Sequence, residues 1–179
     1  MLFSKEYIIE NRDCNSYEQI TSYSFMKKDK IHLFEILESE MSIQDKLYFL
    51  YQKCNLAIIV KERLTDMIFN FISQVHVDNY PDSEINTYAD IHRVFDKDDL
   101  LRISNKIKTT RYIGFCTQHF SNIILNYTLM GLTKSIEEIE DNANWCSINA
   151  ANIVYVLDKK NKNKNYELQL IELIKEFLK

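Results

Sequence analysis

Glycine and proline are almost absent from this chain: two of its 179 residues are Gly and one is Pro. Tight β-turns depend on Gly, which adopts positive φ without strain, and on Pro, whose fixed φ presets a turn. A chain with so few of either has few ways to connect β-strands, but it can join helices through short polar turns. The scarcity of both residues therefore predicts an all-α fold, with a helical content well above the average of about one third.

The same scarcity excludes several kinds of active site. Gly114 and Gly131 are too few to build a phosphate-binding P-loop, a dinucleotide-binding turn or the nucleophile elbow of a hydrolase. Each of these motifs needs two or three glycines within a few residues, because the backbone must approach a phosphate closely or turn sharply. We therefore expect no cofactor.

Composition predicts one helical domain over 1–179, with short N-terminal helices over 1–54 and the main bundle over 55–179. Hydrophobic residues make up 46% of the chain and charged residues 27%, which are ordinary values for a globular protein. The net charge of −4 disfavours direct binding to nucleic acid and favours a neutral or basic partner. The N-terminus lacks the pattern of a signal peptide and the four cysteines are scattered, so we expect free thiols and a cytoplasmic location.

Residues 55–78 carry the clearest helical period, with apolar residues at steps of three and four. Tyr80-Pro81 ends this helix, because the residue before proline is pushed out of the α region. Further helices are predicted over 82–95 and 97–107, and another at the C-terminus. Near 110–131 lies an uncharged stretch whose many polar side chains favour a central helix of the bundle over a membrane span.

Side-chain patterns also predict helix starts and a core. Ser4 and Ser42 are predicted N-caps, and Thr133 is the predicted cap of the helix after the uncharged one. Truncation of Phe71 to Ala is expected to cost about 3–5 kcal/mol, as for buried aromatic residues in general. The residues that we predict to be largely buried are Met67, Ile68, Phe71, Ile123, Ile124, Trp145, Ile148 and Ile174.

No constellation of residues completes an active site. Cys116 and His119 share one face of a helix, but a zinc site needs three or four ligands. Helical ribonucleases of the HEPN class place four to six residues between a catalytic Arg and His, whereas seven residues separate Arg111 from His119. A divergent nuclease of this type is the enzyme alternative, and we expect neither metal binding nor catalysis.

The densest acidic segment comprises Glu137, Glu138, Glu140 and Asp141. A run of this kind is commonly only the solvated face of a helix. It can also dock on a basic protein, because complementary charge speeds the encounter of two proteins and sets their specificity. We take these four carboxylates as the predicted contact set for a protein partner.

Three segments together resemble a known family. They are residues 3–14, the helix end at Asn79-Tyr80-Pro81-Asp82, and the helix over 143–151 that contains Trp145. The arrangement is similar to a loose family of all-helical proteins of bacterial and phage genomes that are described as immunity proteins. The resemblance implies a non-catalytic inhibitor that occludes a toxin, and it carries no functional residue over to this chain. A phage-encoded inhibitor of a host defence protein is the related interpretation.

A second resemblance is to the helical bundle of viral apoptosis inhibitors, with 112–132 as its central helix. Asn144-Trp145 stands where that family has Asn-Trp-Gly-Arg, although Cys146-Ser147 follows here. The sequence therefore leaves three functions open: an inhibitor that binds a toxin or defence effector, a divergent nuclease, and a bundle of the apoptosis-inhibitor type.

Overall fold

The computed structural model describes residues 1–11, 21–86, 98, 114–161 and 163–179. Helices predominate in these ranges beside one small two-stranded sheet, which confirms the all-α prediction. Cys14, the predicted helix over 97–107 and most of that over 82–95 lie outside them. The described elements, in chain order, are β1 (Leu2–Ser4), α1 (Lys5–Glu10), a 3-10 helix (Ser24–Lys27), β2 (Lys30–His32), α2 (Leu33–Leu37), α3 (Ile43–Tyr48), a π-helix (Phe49–Lys53), α4 (Ile58–Asn79), α5 (Phe115–Leu132), α6 (Ile136–Lys160) and α7 (Tyr166–Phe177).

Three long helices, α4, α5 and α6, form the centre of the bundle. α5 runs antiparallel to α4, because Tyr127 donates to the Asp66 carboxylate at 2.8 Å near one end while the Nε2 atom of His76 lies 3.3 Å from the Thr117 hydroxyl near the other. α6 packs against both helices, and its Cys146 thiol lies 3.6 Å from the carbonyl oxygen of Ile123 in α5.

The uncharged helix predicted near 110–131 is α5, Phe115–Leu132. Phe120 and Ile123 are fully buried between its neighbours, which confirms its central position. Two of its hydroxyl groups are satisfied within the helix, since Ser121 donates to the carbonyl of Thr117 at 2.8 Å and Thr128 to that of Ile124 at 2.7 Å. Among the described helices, none combines the length and the apolar character needed to cross a bilayer.

The predicted core is correct at six of its eight positions to different degrees, and wrong at two. Met67 and Phe71 are partly buried and pack against the core. Trp145 and Ile148 are instead 56% and 36% exposed. The four predicted residues that are fully or almost fully buried are Ile68, Ile123, Ile124 and Ile174.

The misplacement of Trp145 and Ile148 has a simple steric cause. α6 turns its small side chains inward, where they let the neighbouring backbones approach closely. These buried small residues are Ala143, Cys146, Ser147, Ala150 and Ala151. Because they occupy the inward face at steps of three and four, the bulkier Trp145 and Ile148 point to solvent.

Two of the three predicted N-cap residues are confirmed by the structure. The Ser4 hydroxyl accepts from the N–H of Tyr7 in α1 at 3.2 Å, and Ser42 caps α3 in the same way. At α6 the cap is Ser135, so the prediction of Thr133 is wrong. Thr133 has extended backbone at the end of α5, and its hydroxyl accepts from the N–H of Ser135 at 3.1 Å.

The N-terminal region contains a sheet that the sequence does not predict. β1 and β2 pair antiparallel, with Phe3 opposite Ile31. Each strand has only three residues, and a helix follows each of them directly. Such a pair needs no tight hairpin, so the scarcity of Gly and Pro does not prevent it.

His76 is a fully buried imidazole that connects α4 to α5 and to the turn after α4. Its Nδ1 atom lies 2.7 Å from the Asn86 side-chain oxygen, and its ring stacks on Phe120 at 4.3 Å. The Asn86 amide nitrogen donates to the carbonyl of Tyr80 at 2.8 Å, so its oxygen accepts and Nδ1 of His76 carries the proton. Burial lowers the pKa of His76 below the ordinary histidine value, because the charged form of the imidazole loses its hydration inside the bundle.

We expect acid to weaken the fold through His76. The unfolded chain binds a proton near the ordinary histidine pKa of about 6.5, whereas the folded chain binds it only at lower pH. The contribution of His76 to the free energy of unfolding should therefore be fully present above pH 6.5. Below pH 6.5 the free energy of unfolding should fall as the pH is lowered. Urea unfolding followed by circular dichroism at pH 7.5, 6.5 and 5.5 measures this decline. It should be shallower in His76→Gln, and equal slopes in both proteins would assign the decline to other groups.

Candidate functional site

The four predicted contact residues all lie in the first two turns of α6. Glu137, Glu138 and Asp141 are exposed, so the structure brings three of the four carboxylates together at the surface. Glu138 also accepts a hydrogen bond from the Thr133 hydroxyl. Negative charge at this position stabilises the helix through its dipole, so part of the acidic run serves the fold itself.

Glu140 stands apart from the other three carboxylates. Its carboxylate accepts from the ammonium group of Lys61 at 2.8 Å, and the Lys61 side chain is 9% exposed. Removing Glu140 would leave a nearly buried ammonium without its partner, which is costly. Glu140 therefore holds α6 against α4, and we do not assign it to a contact surface.

A row of exposed apolar and aromatic side chains continues from the acidic end of α6. Trp145 and Ile148 are followed by Tyr155, which is 41% exposed. From Asp141 the successive steps to Trp145, Ile148 and Tyr155 are four, three and seven residues, which places all of them on one side of the helix. We call the set Glu137, Glu138, Asp141, Trp145, Ile148 and Tyr155 the α6 face. It is about 27 Å long at 1.5 Å per residue, which is sufficient for a protein interface of standard size.

Two basic residues lie beyond the far end of the α6 face. The Lys159 ammonium lies 4.1 Å from the centre of the Tyr155 ring, and Lys160 is also exposed. The helix continues through both lysines and ends at Lys160. The α6 face is thus acidic at one end and aromatic at the other, and two lysines lie just beyond its aromatic end.

A polar network stiffens the α6 face from the side of α5. The Nδ1 atom of His119 lies 2.6 Å from the side-chain oxygen of Asn149, whose amide nitrogen donates to the Trp145 carbonyl at 2.7 Å. The oxygen of Asn149 therefore accepts, and Nδ1 of His119 is the donor. Phe115 packs against the His119 ring at 4.2 Å and is 53% exposed. These contacts fix the side of α6 that carries Trp145.

The candidate chemical groups are separated or engaged in the fold. Cys116 is buried whereas His119 is bound to Asn149, and within the described ranges no three His, Cys, Asp or Glu residues are placed to hold a metal ion. Arg111, the partner of His119 in the nuclease alternative, lies outside the described residues. Burial raises the pKa of Cys54 to about 12 and raises that of Cys146 as well. Both remain protonated thiols near neutral pH and are poor nucleophiles.

Sequence reasoning missed the aromatic part of the α6 face. A usable signal was present, because small residues recur at steps of three and four through Ala143, Ser147 and Ala150. A helix buries such a row where it crosses its neighbours closely, which leaves Trp145, Ile148 and Tyr155 on the outer side.

No family model, no curated protein and no solved structure matches this chain.

Proposed function

We propose that this chain is a non-catalytic inhibitor that binds a toxin or a host defence effector through the α6 face and covers a basic surface of it. The observation that carries the proposal is an exposed tryptophan in the middle of a long helix, with Ile148 and Tyr155 on the same side. Tryptophan and tyrosine dominate the binding energy of protein interfaces, because they bury a large area at a small entropic cost. On a rigid helix they are already held in place.

The charges around these anchors favour a basic partner. Glu137, Glu138 and Asp141 are exposed beside Trp145, and the chain as a whole carries a net charge of −4. Proteins that act on nucleic acids present basic surfaces, and exposed carboxylates can occupy the place of phosphates there. Charge of this kind mainly accelerates association, while the aromatic side chains supply most of the affinity.

Binding without turnover agrees with the state of the titratable groups near the face. His119 is hydrogen-bonded to Asn149, and Glu140 is paired with Lys61. Cys146 lies beneath the face as a buried thiol whose pKa is raised by burial. Each of these groups supports the fold, and none is poised between a nucleophile and a base.

Affinity capture from the native host tests the proposal. The baits are the wild type, Trp145→Ala, and a control, Ile59→Ala, which removes an apolar side chain of similar exposure (52%) from the start of α4. We expect the wild type and Ile59→Ala to retain the same basic protein, whose activity an equimolar amount of this chain suppresses. Trp145→Ala should lose that protein. Equal recovery by all three baits, or RNA cleavage by the wild type, would contradict the proposal.

Charge reversal at the acidic end should slow association with that partner. The variant Glu137→Lys, Glu138→Lys, Asp141→Lys leaves Glu140 in its ion pair with Lys61. We expect its association rate constant to fall about tenfold or more at low salt and to depend less on ionic strength, with little change in dissociation. Stopped-flow mixing at several salt concentrations measures both rates.

The control for charge reversal is a variant with the same net charge as the α6 variant, but with its three substitutions on other surfaces. It carries Glu6→Lys, Glu10→Lys and Glu176→Lys, all at exposed positions of α1 and α7. Its association rate should fall much less than that of the α6 variant. Equal slowing of both variants would show that the partner responds to overall charge and that the acidic end of α6 is only a solvated surface.

A further inference from the structure

A cleft of about 410 Å³ opens between α2, α3, the end of α6 and the start of α7. This volume suits a small ligand or one long side chain with its adjoining backbone. Leu37, Leu168 and Ile171 supply its apolar walls. Its charged lining comprises four carboxylates and one ammonium group, those of Glu38, Asp158, Glu167, Glu172 and Lys46.

Two of these charged residues, Asp158 and Lys46, line the cleft and also make hydrogen bonds that stabilise the fold. Asp158 accepts from the backbone N–H groups of Tyr166 at 2.7 Å and Glu167 at 2.8 Å, and so caps α7. Lys46 is 5% exposed and donates to Glu167 at 3.0 Å. Among the described residues Glu167 is the one hydrogen-bond partner of its ammonium group, and the charge of Lys46 also acts on the Glu40 carboxylate; an ammonium group has three donors. The other donors of this ammonium group, at the wall of the cleft, can serve an occupant that offers an acceptor.

The three glutamates offer the complementary groups. Lys175 bridges one oxygen of Glu38 and one of Glu172, the latter at 2.9 Å, and Lys46 engages one oxygen of Glu167. Within the described chain the second oxygen of each carboxylate accepts no hydrogen bond. Counting Lys175, the cleft has four carboxylates and two ammonium groups, so it retains a negative charge that suits a cationic group.

We propose that this cleft receives an arginine residue of the protein partner. The guanidinium group would donate to the free oxygens of Glu38, Glu167 and Glu172, because its planar fork matches carboxylates. Its aliphatic stem would lie on the apolar walls, and a neighbouring main-chain carbonyl would accept from Lys46. A polyamine supplies the cationic groups but no acceptor for Lys46, which favours a peptide. The inference rests on the proposed function, since it names a residue type of that partner.

A peptide titration tests the cleft without the partner. The probe is acetyl-Gly-Arg-Gly-amide, added to the full chain labelled with ¹⁵N and followed by NMR. We expect saturable shifts at the backbone amides of Leu168 and Ile171, and no such shifts with the same peptide carrying uncharged citrulline. Glu172→Gln should weaken the arginine peptide about tenfold, as expected when a charge-assisted hydrogen bond is lost. Glu176→Gln, an exposed position of α7 outside the cleft, should leave the affinity unchanged.

Three results would overturn the inference. They are equal shifts with the citrulline peptide, unchanged affinity in Glu172→Gln, and shifts with spermidine at the same affinity as with the arginine peptide. The last result would assign the cleft to small cations. The peptide titration does not involve Trp145, so a negative result would not contradict the proposed role of the α6 face. That role is tested separately by partner binding in Trp145→Ala.

Discussion

Replacing Phe69 with Ala is expected to lower the free energy of unfolding by about 3–5 kcal/mol. Phe69 is 1% exposed in α4, and its ring stacks on that of Tyr127 in α5 with the centroids 4.2 Å apart. Truncation would remove this contact and leave a cavity between the two helices, which the packed neighbours could fill only in part. Tyr127 would also lose the surface that orients its hydroxyl toward Asp66.

Phe71 is the matched comparison on the same helix. From the sequence, Phe71 is predicted to be buried, and its truncation to cost as much stability as that of a buried aromatic residue. In the structure Phe71 is half-buried at the edge of the core. Phe71→Ala should therefore cost clearly less than Phe69→Ala, about 2 kcal/mol or below. Urea unfolding followed by circular dichroism compares the two. An equal or larger loss in Phe71→Ala would mean that the buried side of α4 is assigned incorrectly.

Trp145→Ala is expected to weaken partner binding by at least about 2 kcal/mol, or roughly 30-fold, because truncated aromatic anchors at the centre of an interface lose this much. Stability should change little, about 0.5 kcal/mol or less, since the side chain is 56% exposed in the free protein. Isothermal titration with the captured partner measures the affinity, and urea unfolding measures the stability.

The same titration with Ile59→Ala provides the control for Trp145→Ala. Ile59 is exposed and apolar, lies at the start of α4, and is not one of the residues that form the α6 face. Its truncation should leave the dissociation constant unchanged. If Trp145→Ala bound as tightly as the wild type, the tryptophan would be an ordinary surface residue and the contact surface would lie elsewhere.

Local chemistry made much of the fold predictable from the sequence. The caps at Ser4 and Ser42 and the helix end at Tyr80-Pro81 follow from hydrogen-bonding and steric rules that involve only neighbouring residues. The buried position of α5 follows from its lack of charge. Such features need no knowledge of which helices meet.

The outer side of α6 could not be read from hydrophobicity alone. Trp145 and Ile148 are the most apolar bulky residues of their segment, and an average helix would bury them. In this fold the inward side is taken by Ala143, Ala150 and Ala151, and α6 packs against α3, α4, α5 and α7. Which side a helix buries depends on how closely its neighbours approach, and that is a property of the whole bundle. The pairing of Glu140 with Lys61 likewise depends on how α4 and α6 pack, because the two residues are distant in sequence. This ion pair distinguishes Glu140 from the other three carboxylates.

Fluorine NMR of Trp145 tests the central claim most directly, because this is the only tryptophan in the chain. The protein labelled with 5-fluorotryptophan gives one signal, and an unlabelled partner is silent. In the free protein we expect a signal that responds to exchange of H₂O for D₂O, as an exposed ring does. At one equivalent of partner the signal should shift and lose that response, because the indole becomes buried in the interface. A complex that forms at full occupancy while the signal keeps its position and its solvent response would contradict binding through the α6 face.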